Sequence, residues 1–167
     1  DCLRDYGRQQ AAAEPEAKKP AKVLRVAPSM NDLVELLTNH QGNISAIARE
    51  MGKSEPFVER LEEAAIRHDL GKVSWPNQVL RKPARLVGEE EQYKWTHPDV
   101  SAEIASRAGS TAEVAGMIRY HHERYDGKGY PLGLAGEEID LLARILCAAD
   151  VYDALISQRP YRDGWIK

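Results

Sequence analysis

The chain has 167 residues, 43% of them hydrophobic, and a formal net charge of −3. That is enough apolar material for one domain with a buried core, and the near balance of charge argues against a protein that holds nucleic acid by blanket electrostatics. No apolar run approaches the ~20 residues needed to span a bilayer and no signal-peptide pattern opens the chain. Cys2 and Cys147 lie far apart, with Cys147 inside an apolar helical run, so a soluble protein of a reducing, cytoplasmic setting is expected. A first residue other than Met suggests a piece of something longer.

Residues 1–30, with Ala11-Ala12-Ala13, Lys18-Lys19-Pro20 and Pro28-Ser29, have the composition of a linker. Two short helices follow, from Asn31 to about Asn39 and from Ile44 to Met51. Asn43 stands as N-cap of the second, and Gly52 is placed to end it. The stretch Gly42 to Gly52, with Val58 and Leu61 beyond, resembles the helix-turn-helix of Fis-like regulators over residues 33–63. Its would-be recognition helix carries Glu55, Pro56, Glu59, Glu62 and Glu63, where a DNA reader offers Arg, Lys, Asn or Gln. DNA is therefore not the expected partner.

The next helix starts at Ser54, carries Phe57, Val58, Leu61, Ala65 and Ile66 at helical spacing, and ends in His68-Asp69 before Gly71. A carboxylate at the end of an apolar stripe costs several kcal/mol, roughly, unless something pairs with it. Glu89-Glu90-Glu91 opens a helix that runs to His97, and Pro98 is suited to start another, with Val100, Ile104 and Ala108 inward. After Ser110-Thr111 come Val114, Met117 and Ile118, then His121-His122, where the helix should end. Asp126-Gly127 and Gly129-Tyr130-Pro131 supply turn chemistry, with glycines free to take positive φ. A last helix from Ile139 to Ser157 places Asp150 among apolar neighbours, where a carboxylate must protonate, find a cation or bind metal.

Each of these residues has a plain reading. His97 could cap a helix, His122 could be a satisfied core histidine and Asp150 could cap a neighbour. As a set they are harder to dismiss, because four of the five histidines and two carboxylates fall at helical core positions or helix ends. Mixed imidazole and carboxylate ligands suit Fe, Mn, Zn or Ni, and six or more of them suggest two ions sharing a bridging carboxylate. The repeated helical periodicity, with no alternating strand, predicts an all-α domain.

The sequence resembles the HD-GYP phosphodiesterases of bacterial cyclic di-GMP signalling from about Leu61 to Arg162. The resemblance rests on His68-Asp69-Leu70-Gly71-Lys72, Leu80 with Lys82-Pro83, His97-Pro98, and His121-His122-Glu123-Arg124 with Asp126-Gly127. It continues through Gly129-Tyr130-Pro131-Leu132-Gly133-Leu134, Leu142-Ala143-Arg144-Ile145, Ala149-Asp150-Val151-Tyr152-Asp153-Ala154-Leu155 and Arg159-Pro160-Tyr161-Arg162. It implies an HD-domain helical bundle over residues 31–167, with metal ligands at His68, Asp69, His97, His121, His122 and Asp150. It also implies two divalent ions, Fe or Mn favoured and Zn or Ni open, and hydrolysis of cyclic di-GMP to pGpG or GMP. Lys72 would face the substrate phosphate with Arg124 beside it, and the loop with Tyr130 would help bind the dinucleotide or a diguanylate-cyclase (GGDEF) partner domain. An upstream sensory or receiver domain is expected.

Two departures stand out. The family places an earlier histidine ligand before the His-Asp pair. Here Leu36 falls at that position and His40, one helical turn later, is the only candidate. Either His40 is the displaced ligand or that ligand is absent, which leaves open a domain that binds nucleotide or a GGDEF domain without turnover. The family also continues into further C-terminal helices beyond the point where this chain stops at Lys167, so a truncated core is expected there.

Overall fold

A computed structural model of the chain describes residues 30–157. The linker and the Arg159-Pro160-Tyr161-Arg162 motif expected from the sequence lie outside these residues, Met30 excepted. Among the described residues there are seven α-helices: α1 (Met30–Asn39), α2 (Ile44–Glu50), α3 (Glu55–Arg67), α4 (Asn77–Leu80), α5 (Glu91–Arg107), α6 (Ala112–Tyr120) and α7 (Leu141–Ile156). Three short 3-10 turns join them, of which Leu70–Ser74 matters most for the site. The only extended pairing among the described residues is an isolated bridge from Asp126 to Ala135. The expected all-α class is what the structure shows.

The apolar stripes close on one core. Leu33, Leu36 and Leu37 of α1, Ile47 and Ala48 of α2, Val58 and Leu61 of α3, Val114, Met117 and Ile118 of α6, and Leu142, Ile145 and Leu146 of α7 form a single buried cluster. Truncating Leu61, which is fully buried, to Ala would cost about 2–5 kcal/mol through lost transfer energy and the cavity left behind. The helices that resemble a helix-turn-helix, α2 and α3, are thus packed into the bundle against α6 and α7. The expected cap Asn43 accepts from the Ala46 amide, Ser54 starts α3 without a side-chain cap bond, and two caps not singled out in the sequence appear, Thr111 accepting from Val114 and Asp140 from Leu142.

Several details differ: α7 starts at Leu141 instead of Ile139, the short α4 has no counterpart in the sequence reading, Ala108 of the expected inner face of α5 is exposed, and the boundary at Pro98 is absent. A helix break at Pro98 is expected, yet α5 runs unbroken from Glu91 to Arg107 with Pro98 inside. Proline has no N–H to give to the carbonyl of Lys94, four residues back. That carbonyl instead accepts from the ring of His97, whose Nδ1 is 2.8 Å away. The buried neighbours Ser101, Ala102 and Ala105 hold the rest of the helix in place.

Candidate metal centre

Three helix ends and the middle of α5 meet at one point. His68 caps the C-terminus of α3, Asp69 opens the following 3-10 turn, His97 projects from α5, and His121 and His122 close α6. The approach of the 3-10 turn to α5 depends on Gly71, because a Cβ there would lie 2.3 Å from the His97 carbonyl oxygen and 2.9 Å from the Ser101 amide. Gly71 instead donates its N–H to Ser101 Oγ at 2.7 Å. This contact sets Asp69 opposite His97.

Three of the imidazoles are aimed by the same device. His68 Nδ1 lies 2.7 Å from the Ala65 carbonyl, His97 Nδ1 2.8 Å from Lys94 and His121 Nδ1 2.6 Å from Ile118. A carbonyl only accepts, so each Nδ1 carries the proton and each Nε2 presents its lone pair to the centre, the arrangement a metal-binding imidazole requires. His122 Nε2 sits 3.2 Å from His97 Nε2. Asp69 places Oδ1 3.3 Å from His97 Nε2 and Oδ2 3.4 Å from His68 Nε2, and Asp150 Oδ1 is 3.9 Å from His68 Nε2. Two overlapping groups could each hold an ion: His97, His121 and His122 in one, His68, Asp69 and His121 in the other.

The donor set fits metal. Asp69 Oδ1 and His121 Nε2 are buried without a hydrogen-bond partner, a cost that a bound cation would remove. Burial, and then the neighbouring imidazoles, push the His121 pKa down to about 4 and His122 lower still, so both rings are neutral at neutral pH. Burial resists ionisation of Asp69, but the adjoining imidazoles and the Lys72 ammonium outweigh it and hold the carboxyl well below its usual range. Burial likewise lowers His68, yet Asp69 and Asp150 overcome it and raise its pKa. The cluster thus combines an ionised carboxylate with imidazole lone pairs.

Other sequence candidates fall in different places. Lys72 Nζ is 2.5 Å from Asp69 Oδ2 and so belongs to the cluster. Tyr130 is buried and lies over His122, with ring centroids 4.8 Å apart. Arg124 is held by Asp126 in a two-point pair at 2.9 and 2.7 Å. It lines a separate concavity of about 490 Å³, walled mainly by apolar residues of α1 and α7 that include Leu33, Val151 and Leu155. None of the cluster side chains lines that concavity. His40 is also elsewhere, with Nε2 2.5 Å from Glu50 Oε2, and it joins neither ligand group. Leu36, at the position of the family's earlier histidine, is buried in the core.

Glu123 has no role in the sequence reading beyond its place in the motif. It is 1% exposed, and its carboxylate accepts backbone N–H groups from Leu132 and Gly133 through Oε1 and from Leu134 through Oε2, at 2.7, 3.1 and 3.0 Å. It therefore pins the loop that carries Tyr130. Gly129 serves this packing without positive φ, since a Cβ would lie 2.3 Å from the Arg124 nitrogen and 2.5 Å from Glu123 Cα. Only Gly127 of the expected pair takes φ of 72°.

A family model described as HD domain matches residues 20–166. The chain is similar to the cyclic di-GMP phosphodiesterase response regulator RpfG of Xanthomonas campestris pv. campestris, 46% identical over 121 residues, which are 71% of this chain and 32% of that protein. It is 37% identical to the cyclic di-GMP phosphodiesterase PA4108 of Pseudomonas aeruginosa over 156 residues, 87% of this chain and 38% of that protein. It is also 39% identical to 3′3′-cGAMP-specific phosphodiesterase 3 of Vibrio cholerae over 116 residues, 70% of this chain and 25% of that protein. The chain belongs to the HD domain family and, with these relatives and its motifs, to the HD-GYP branch of it. It spans about a third of the length of the curated relatives it matches. Among the described residues no helix is long and apolar enough to cross a membrane.

Proposed function

We propose that this chain is the hydrolytic domain of a metal-dependent phosphodiesterase that cleaves cyclic di-GMP to pGpG or GMP. The observation that carries it is the convergence of four imidazoles and Asp69, with Asp69 Oδ1 and His121 Nε2 left as buried atoms without partners. His68, Asp69, His97, His121, His122 and Asp150 would hold two divalent ions. The mixed nitrogen and oxygen donors suit Fe, Mn, Zn or Ni, and the family resemblance favours Fe or Mn among them. When bound, such ions supply an activated water and a positive clamp on the phosphodiester oxygens.

The chain's own residues would do the rest. Asp69, with one oxygen toward His97 and the other toward His68, would offer a donor to each group. Lys72 is tethered to Asp69 and can turn its ammonium toward a non-bridging phosphate oxygen, where it offsets charge that grows as phosphorus is attacked. Tyr130 covers His122 and excludes water from that side. Water adds across one P–O bond: phosphorus gains hydroxyl, and the ribose oxygen leaves with a proton, giving pGpG. A second addition gives GMP. Arg124 reaches substrate only by releasing Asp126. Relatives named as cyclic di-GMP phosphodiesterases support the substrate. A GGDEF domain as partner, an upstream sensory or receiver domain and a cytoplasmic setting complete this reading.

A second reading has one specific observation in its favour. His40 is bonded to Glu50 and Leu36 is in the core, so one family ligand is absent from the cluster, as in a domain that binds nucleotide without turnover. Metal analysis combined with chromatography of products from cyclic di-GMP separates the two. Bound metal with pGpG or GMP formed supports the enzyme, and bound nucleotide without product supports the binding module.

A further inference from the structure

The rings of the site continue outward beyond the imidazoles. Centroids are separated by 4.0 Å from His121 to His122, 4.8 Å from His122 to Tyr130 and 4.7 Å from Tyr130 to Trp95. Tyr130 is 9% exposed, whereas Trp95, the outer end of the stack, is 49% exposed. Lys94 Nζ lies 5.7 Å from the Trp95 ring and 6.0 Å from the Tyr130 ring. A half-exposed indole with a lysine ammonium over its ring thus stands one ring away from a cluster imidazole.

Resting on the phosphodiesterase reading for the ligand class, we propose that Trp95 is the platform on which one guanine of a cyclic dinucleotide stacks, with Lys94 donating to the O6 and N7 edge of that base. Every nucleobase has a π-face, so stacking on Trp95 supplies affinity without choosing the base. Lys94 supplies the choice. An ammonium has only donors; guanine offers two adjacent acceptors there, while adenine offers N7 beside an N6 donor that the ammonium cannot satisfy. Relatives of this chain differ in the cyclic dinucleotide their names give, and the base edge is where such ligands differ.

The test uses the metal-loaded full chain and slowly hydrolysed phosphorothioate analogues of cyclic di-GMP and cyclic di-AMP, with equilibrium binding read by calorimetry and turnover of cyclic di-GMP measured separately. Trp95→Ala is expected to raise Kd for the cyclic di-GMP analogue about tenfold or more. Trp95→Phe, which keeps an aromatic face, should recover most of the affinity while losing part of the ligand-dependent tryptophan quenching. Lys94→Met should narrow the preference for the guanine ligand over the adenine ligand several-fold. Metal content and the circular dichroism spectrum show whether each variant is folded. An unchanged Kd in folded Trp95→Ala, or an unchanged guanine preference in Lys94→Met, would overturn the proposal. Trp95-dependent binding without turnover would leave the platform standing and remove the enzyme reading. Failure of the wild type to bind either analogue would overturn both.

Discussion

His97 Nδ1 lies 2.8 Å from the carbonyl of Lys94, the acceptor that Pro98 deprives of its helical donor. The proline therefore reserves a backbone oxygen for the imidazole and fixes which ring nitrogen faces the cluster. Pro98→Ala would return an N–H to that carbonyl and set it in competition with His97. The expected outcome is a thermal midpoint equal to or above that of the parent, with apparent metal affinity lower by up to about tenfold. A tighter metal complex in this variant, read by competition with a chelator, would sink the argument.

Gly71 is the second place where backbone serves the site. A Cβ at this position would meet the His97 carbonyl oxygen at 2.3 Å, and backbone cannot yield as a flexible side chain can. Gly71→Ala should cost roughly 1–3 kcal/mol through overpacking. It should also push the turn bearing Asp69 and Lys72 away from α5. A fall of about 5 °C or more in the thermal midpoint, together with reduced metal content, is expected. Unchanged values of both would show that the turn does not need this approach.

How far the sequence displays all this differs from one element to another. Most of the helical stripes and the cap at Asn43 are local and periodic, so they can be read directly, although Ile66 and Ala108 of the expected stripes are exposed and the caps at Thr111 and Asp140 go unread. Apart from the family resemblance, the convergence of His68, His97, His121 and His122 is legible as no more than residue types at expected helix ends, because contacts across 24 to 54 positions leave no local trace. Pro98 misleads, since the usual penalty for proline inside a helix is met by a side chain of its own neighbour. Glu123 is silent in sequence. A buried carboxylate whose partners are three backbone amides has no complementary residue to betray it. His40 shows the opposite case, a histidine at a plausible spacing that the fold commits to Glu50.

Glu123 offers a test of the loop apart from the metal. Its two oxygens accept three amide N–H groups from Leu132 to Leu134. Glu123→Gln keeps the shape but turns one acceptor into a donor, so at least one buried N–H loses its partner, at about 1–3 kcal/mol. The loop of residues 126–135 should then be cleaved faster in limited proteolysis, and the fluorescence of Trp95, which packs on Tyr130, should change. Metal content should hold, because Glu123 belongs to neither ligand group. Proteolysis at the parent rate in the Gln variant would remove the pinning role.

The metal assignment makes the sharpest contrast between residues. Asp69 puts one oxygen 3.3 Å from His97 Nε2 and the other 3.4 Å from His68 Nε2, so a single side chain touches both candidate groups. A carboxylate can bind two cations where an imidazole nitrogen binds one, and Asp69→Ala should therefore lower bound metal by more than one ligand's share. His122→Ala removes a donor from the other end, at the group formed with His97 and His121. Both variants should retain the helical circular dichroism spectrum, because the side chains lost are not part of the apolar core. Both should abolish cleavage of cyclic di-GMP if the domain is the enzyme proposed. His40→Ala is the control from the same residue class. With its Nε2 on Glu50, it should leave metal content nearly unchanged and cost at most about 1 kcal/mol of stability, the worth of a partly exposed pair. Metal analysis of the three variants side by side decides the matter: full occupancy in Asp69→Ala would refute the bridging role, and a loss in His40→Ala equal to that in His122→Ala would restore His40 as a ligand.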